Sequence, residues 1–464
     1  MRRTSLPVWM GLFYALFLVA AAQAQSRLSP LTLEQAVATA LDKYPGMRVS
    51  IEQVSAAAAQ VELARTGFLP RADFLGQINR STHNNVFGML FPQPVISPIS
   101  GPVLPVHSLG SVWGTAAGVL VSWEPFDFGL RSAGVKAARA AQAAAGAQTG
   151  VTRLQVAAAT ADAYLSLLAA HQTVLAAEGG VERMRVLETV VDALVQNGLR
   201  PGVEASRTRA GLAAAENQLI RAQEAVAVAR AALASMMGAK AADIVAMPGP
   251  MLELPPDAGL AASSPAAHPV AVAQSASIAE IQARRHVLDR SYFPKFNLQG
   301  TTYARGTGVQ PDGATGGAAA GLGPNIQNWG IGMTVTFSLF DYSSLKARKQ
   351  IEDSRQRSAQ ARYEQIIQDV AGEIAQASAM LDGARRVAMN TPIQLEAARA
   401  AGRQAMARYK AGLGGIVEVA DAQRLLTQAE AEDALARLSV WRALMKLGIA
   451  QGDLTEFLRK SAGK

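Results

Sequence analysis

The residues best placed to do chemistry are two carboxylates near the start of a helical run. Glu418 and Asp421 lie three apart in residues 409–424, which read YKAGLGGIVEVADAQR. That spacing puts them on one helix face. They fall in the first turns after a glycine-rich break, where the helix dipole favours negative charge. Two roles fit: charge at a helix start, or, with copies from several subunits, an acidic ring that attracts cations and repels anions. Residues 196–209, QNGLRPGVEASRTR, are a weaker double, with Glu204 in the place of Glu418 and Arg207 in the place of Asp421. Gly198 and Gly412 stand where a helix end calls for a left-handed residue. Leu199, Val203, Leu413, Gly414, Gly415 and Val417 complete what read as two hairpin tips.

No catalytic constellation accompanies these acids. The five histidines (83, 107, 171, 268 and 286) are scattered, without metal-ligand spacing, and there is no cysteine, which excludes a thiolate nucleophile, a zinc–cysteine site and disulfides. Asp127-Phe128-Gly129 copies a kinase metal-binding tripeptide but lacks a catalytic loop or phosphate-cradling glycines. With its counterpart Asp341-Tyr342-Ser343 it reads as a strand-to-helix junction with Asp as N-cap. A periplasmic hydrolase is disfavoured, no cofactor is expected, and the chain reads as no enzyme. The formal charge is +8, yet the basic residues are dispersed among acids without aromatic interleaving, a solvated helical surface rather than a nucleic-acid site.

The tips sit on a duplicated framework. Pro45 and Pro269 stand 224 residues apart, as do Pro70 and Pro294, while Phe126-Asp127 and Phe340-Asp341, Gly198 and Gly412, and Glu204 and Glu418 all stand 214 apart. Each arm from the Phe-Asp pair to its tip glycine reads helical, with Val181, Met184, Leu187, Val191 and Leu194 forming a coiled-coil seam against polar Arg183, Arg185, Glu188 and Asp192. Such an arm extends on the order of 100 Å, with interruptions expected at Gly179-Gly180 and at Pro392. The sequence divides into a signal peptide (1–24), a first repeat (25–238), a proline-rich linker (239–268), a second repeat (269–455) and a tail (456–464).

Each repeat also holds two alternating segments around a loop. Ile331, Met333, Val335, Phe337 and Leu339 alternate with Gly330, Gly332, Thr334, Thr336 and Ser338, a strand with one apolar face. Gly118–Trp123, with the incoming segments 72–78 and 296–302, reads similarly. The loops are 91–107, rich in proline, and 305–328, rich in glycine. Strands of about ten residues suit a bilayer crossing, although a soluble sandwich gives the same alternation. An export signal favours the membrane: Arg2 and Arg3, the apolar run 9–19 and Ala22-Gln23-Ala24. Four strands are too few to close a barrel, so the barrel must be shared, with eight strands in a dimer or twelve in a trimer.

Tyr409, Gly412, Glu418, Val419 and Asp421 fit the pattern Tyr-x-x-Gly-x-x-x-x-x-Asp-Val-Leu-Asp, with Glu418 for the first Asp and Ala420 for the Leu. With the duplicated strand–loop–strand units, this resembles the TolC-like outer membrane efflux protein (outer membrane factor) family. The resemblance implies a mainly α fold with a membrane β-barrel portion: a homotrimer with a twelve-stranded barrel above a periplasmic helical tunnel. It implies an exit duct for an efflux pump or type I secretion, in the outer membrane of a Gram-negative bacterium. The tips would dock a periplasmic adaptor (membrane fusion) protein serving an inner membrane transporter of RND, ABC or MFS type. Tyr409 resembles the gate tyrosine, and Glu418 and Asp421 the acids of the periplasmic constriction. Gly414 stands where one well-known member of that family has an arginine engaged in gate bonds, so the resemblance implies one gating link fewer here. Many relatives are lipidated at an N-terminal cysteine, which this chain lacks. A trimeric surface or structural coiled-coil protein with a barrel anchor is the alternative reading.

Overall fold

The computed structural model describes residues 30–82, 109–255, 260, 263–310, 312, 314–324 and 326–463. The expected signal peptide, the proline-rich loop 91–107, His83 and His107 lie outside the described residues. In chain order the elements are α1 (Leu33–Lys43), α2 (Pro45–Thr66), β1 (Arg71–Thr82), β2 (Ser111–Phe126), α3 (Leu130–Gln196), α4 (Gly202–Met237), α5 (Pro269–Arg290), β3 (Lys295–Thr307), β4 (Ile326–Thr336), α6 (Tyr342–Lys410), α7 (Ile416–Gln451) and α8 (Thr455–Ser461). The order α2–β1–β2–α3–α4 recurs as α5–β3–β4–α6–α7. The chain forms two compact units, and each draws segments from both halves: residues 1–50, 149–271 and 366–464 in one, 51–148 and 272–365 in the other.

The second of these units holds an antiparallel sheet in the order β1-β2-β3-β4. Its strands run to 12, 16, 13 and 11 residues, longer than the expected ten. Register aligns Phe74 with Val119, Val119 with Thr302, and Thr302 with Trp329. Because side chains alternate, one face gathers Phe74, Ile78, Val119, Val121, Trp329, Ile331 and Met333, all exposed. The opposite face carries Gln77, Gly118, Gln299, Thr301, Gly330 and Gly332. A bulge between Trp123 and Phe126 contains Pro125, which has no N–H to give a ladder. It swings Phe126 onto the face of Phe296, where the two rings meet edge-on at 6.1 Å.

Beyond the bulge the chain turns into α3. Asp127 accepts from the backbone N–H of Gly129 (3.0 Å) and of Arg131 (2.7 Å) and from the Arg131 guanidinium (2.8 Å), so it caps the helix as the sequence suggested. Phe128 adopts φ 51°, left-handed for a bulky residue, and its ring stacks on Phe293 at 5.1 Å. The counterpart behaves differently. β4 stops at Thr336, short of Leu339, and residues Leu339–Asp341 form a 3-10 turn whose N-cap, Ser338, makes no side-chain cap bond.

The helices α3 and α6 are 67 and 69 residues long and neither breaks. The interruptions expected at Gly179-Gly180 and Pro392 are absent because neighbouring helices hold both places. A Cβ on Gly180 would lie 2.9 Å from Thr427 Oγ1, so the glycine admits α7 closely. Arg183 donates to Thr427 and Glu430 of α7, both at 2.8 Å. Around Pro392, the Thr391 hydroxyl donates to Asp433 (3.1 Å) and the Gln394 amide to Glu432 (2.7 Å), tying α6 to α7 where proline removes a helix bond. The proline-rich linker packs into the core. Ile244 and Met251 are buried with Leu165, Leu233, Leu444 and Phe457, and Trp441 donates to the Glu253 carbonyl at 2.8 Å.

Candidate functional site: the paired hairpin tips

Both tips close with the same hydrogen-bond pattern. Leu199 N–H reaches the Leu194 carbonyl (2.9 Å) and Gly198 N–H that of Val195 (3.0 Å). Leu413 N–H reaches Arg408 (2.9 Å) and Gly412 N–H reaches Tyr409 (3.0 Å). These are Schellman closures, which need a left-handed residue, and Gly198 and Gly412 supply it at φ 69° and 76°. The turns leave Leu199, Val203, Leu413 and Val417 exposed at the ends of the hairpins.

Below the turns the hairpins pack together through Met184, Leu187 and Val191 of α3, Ala205 of α4, Ala405 and Tyr409 of α6, and Ile416 and Val419 of α7. Tyr409 is the polar member, only 1% exposed. Its hydroxyl donates to Glu204 Oε2 at 2.8 Å. Arg200, in the first tip, donates to the Tyr409 carbonyl at 3.0 Å and lies over its ring at 4.7 Å. The Arg200 guanidinium also stands 4.0 Å from Glu204. Burial pushes the Tyr409 phenol up to about 12, helped by the hydrogen bond to Glu204 and by its charge, with Arg200 acting in the opposite direction.

The expected gate residues do not all converge. Tyr409 meets Glu204 rather than Glu418 or Asp421. Glu418 folds back across its own turn to within 3.5 Å of Arg408, whose guanidinium also donates to the Leu413 carbonyl at 3.3 Å. Gly414 permits this, since a Cβ there would lie 3.0 Å from Glu418 Oε2. Asp421 stands 3.6 Å from Arg424, both side chains well exposed. Neither Glu418 nor Glu204 receives a side-chain cap, as Gly415 and Pro201 occupy the N-cap positions. Gly415 is exposed.

Sequence reasoning missed Arg200, although a signal existed. Arg200 follows Gly198 by two residues, as Gly414 follows Gly412. The arginine absent from the second tip stands at the equivalent position of the first and reaches across to the same tyrosine.

Comparison with known proteins agrees with this architecture. The chain is similar over 91–93% of its length to three solved structures: the CmeC outer membrane channel of Campylobacter jejuni (16% identity, TM-score 0.71, 89% of that chain), the outer membrane protein VceC of Vibrio cholerae (18%, 0.70, 96%) and the Neisseria gonorrhoeae MtrE outer membrane channel in its open state (19%, 0.69, 89%). At these identities the likeness establishes the fold. No curated protein gives a significant sequence match. The model of the outer membrane efflux protein family matches residues 36–239 and 266–452, most of the chain in two segments. By that match, this chain belongs to the outer membrane efflux protein family, a family of pore proteins and not of enzymes.

Proposed function

We propose that the chain is the passive exit duct of a tripartite efflux pump or type I secretion system, closed at its hairpin tips until a periplasmic adaptor loosens them. Three copies would complete a twelve-stranded barrel in the outer membrane, after removal of residues 1–24 and without a lipid anchor. The observation that carries the reading is the bond from Tyr409 to Glu204, reinforced by Arg200, because it fastens one hairpin to the other at the end where a duct must open. In this reading Glu418 and Asp421 line the constriction. Leu199, Val203, Leu413 and Val417 offer the adaptor an apolar contact, and an inner membrane transporter of RND, ABC or MFS type drives transport. The repeat boundaries 25–238 and 269–455 belong to the same proposal, each repeat supplying one hairpin.

Planar-bilayer conductance of the purified protein tests it. Wild type should show small, mostly closed conductance, and Tyr409→Phe combined with Glu418→Ala should open it severalfold. Absence of conductance in both would remove the channel reading and leave a structural coiled-coil protein with a barrel anchor.

A further inference from the structure

Where the sheet meets the helices, the α5–β3 and β4–α6 junctions enclose a cavity of about 310 Å3, at the lower end of the range for small-ligand sites. Lys295 and Arg348 both line it, and among the described residues no carboxylate lies within 4.0 Å of either. Cations nearby on the same helices are paired: Lys349 meets Asp289 at 2.8 Å, and Arg285 meets Asp353 at 2.6 Å. Asp341 is the one acid in the lining, and among the described residues no cation lies within 4.0 Å of its carboxylate. Thr336 and Ser338 add hydroxyls. Two unpaired cations and one unpaired carboxylate, with hydroxyls between, are the complement of a phosphate that has an ammonium beside it.

The surroundings of this polar cavity are apolar. Tyr292, in its wall, meets the ring of Phe337 edge-on at 5.3 Å and that of Tyr342 at 5.9 Å. Leu339 and Phe340, between strand and helix, are 67% and 94% exposed. Register pairs Lys295 with Thr336 on the polar side of the sheet, whereas Phe337 continues the row of Ile331, Met333 and Val335 by alternation. The cavity therefore sits at the end of the sheet and takes its lining from both rows. We propose that it holds the headgroup of an amine-bearing glycerophospholipid, with the phosphate on Lys295 and Arg348, the ammonium on Asp341 and the acyl chains along the exposed apolar row. Aromatic rings suit the boundary of a bilayer, and basic pockets there take lipid headgroups. The proposal rests on the membrane placement of the sheet, and the leaflet concerned is the one on the helix side.

Native mass spectrometry of the purified full chain in detergent, titrated with dioleoylphosphatidylethanolamine, tests this. One retained lipid per chain is expected, whereas dioleoylglycerol, with the same chains and no phosphate, should not be retained. Lys295→Gln combined with Arg348→Gln should weaken retention roughly tenfold, and Asp341→Asn should remove the preference over dioleoylphosphatidylglycerol. Lys346→Gln, a neighbouring cation outside the lining, should change neither, and melting curves confirm that all variants fold. Equal retention of dioleoylglycerol overturns the proposal. So do unchanged affinity in the double variant, an equal loss in Lys346→Gln, or an undiminished preference in Asp341→Asn. Displacement of the lipid by an equal concentration of soluble glycerophosphoethanolamine would assign the cavity to a free phosphate ester and overturn the lipid assignment. Flotation of the same protein with vesicles separates the two readings. A chain that floats without selective retention keeps its membrane placement and loses the site, whereas one that fails to float loses both.

Discussion

The Tyr409 hydroxyl donates to Glu204 Oε2 across 205 residues of chain, at 2.8 Å. It is a charge-assisted bond from a buried phenol, and it joins a helix of the first hairpin to a helix of the second. Bonds of this type contribute about 1.5–3 kcal/mol. Tyr409→Phe and Glu204→Gln should each destabilise the tip. In a double-mutant cycle their effects should be non-additive by about 1 kcal/mol in thermal or denaturant unfolding. Additive effects would mean the two side chains do not act as a pair.

Arg200 makes three contacts around the same tyrosine, whereas Arg408 and Glu418 form an exposed pair whose strength solvent screens. Arg200→Ala should therefore cost more stability than Arg408→Ala and raise open-channel probability further. Equal effects on both measurements would contradict the ordering drawn from burial.

The phenol of Tyr409 stays protonated until about pH 12, against a usual value near 10. A raised value means that its stabilising contribution is complete below pH 10 and is lost as pH climbs from 10 to about 12. Burial raises the Tyr164 phenol to about 12 as well, so tyrosinate absorbance should show a late-ionising step whose amplitude falls, without vanishing, in Tyr409→Phe. Loosening of the tips should follow that late step. A late step of undiminished amplitude in Tyr409→Phe would assign it to other tyrosines.

Two glycine substitutions should separate backbone strain from crowding. Nothing lies within 4 Å of a Cβ built on Gly412, so Gly412→Ala pays only for its left-handed φ, about 1–2 kcal/mol. Gly180 is helical, and there Gly180→Val meets Thr427. Gly180→Val should push α7 away from α3 and weaken the Arg183 contacts. Gly412→Ala should melt lower with α3–α7 cross-linking unchanged, whereas Gly180→Val should alter that cross-linking. Identical cross-linking profiles would remove the distinction.

If Asp421 lines a constriction, Asp421→Ala should reduce cation preference and block by multivalent cations in bilayer recordings. Unchanged selectivity would leave the residue with its place near a helix start and nothing more.

Much of this architecture was legible because it is local. Strand parity in Gly330–Thr336, the glycine stops at 198 and 412, and the Asp127 cap follow from neighbours in sequence. The tip acids were less legible, since Glu204, aligned by repeat with Glu418, binds a tyrosine from the other hairpin that no spacing reveals. Gly179-Gly180 and Pro392 misled for a related reason. Their helix-breaking preference is overridden by Thr427, Glu430, Asp433 and Glu432, which lie hundreds or tens of residues away and hold the helices straight through.

The sheet carries Phe74, Ile78, Trp329, Ile331 and Met333 on one side, each more than 60% exposed. In water such a surface invites aggregation, and the outer edges of β1 and β4 add unpaired backbone to it. The helical unit, with its buried Trp441 and Phe457, faces no such penalty. The two parts of one chain therefore mature in different solvents: the helices can reach their final form in an aqueous compartment, while the strands need an escort until lipid and neighbouring strands replace it.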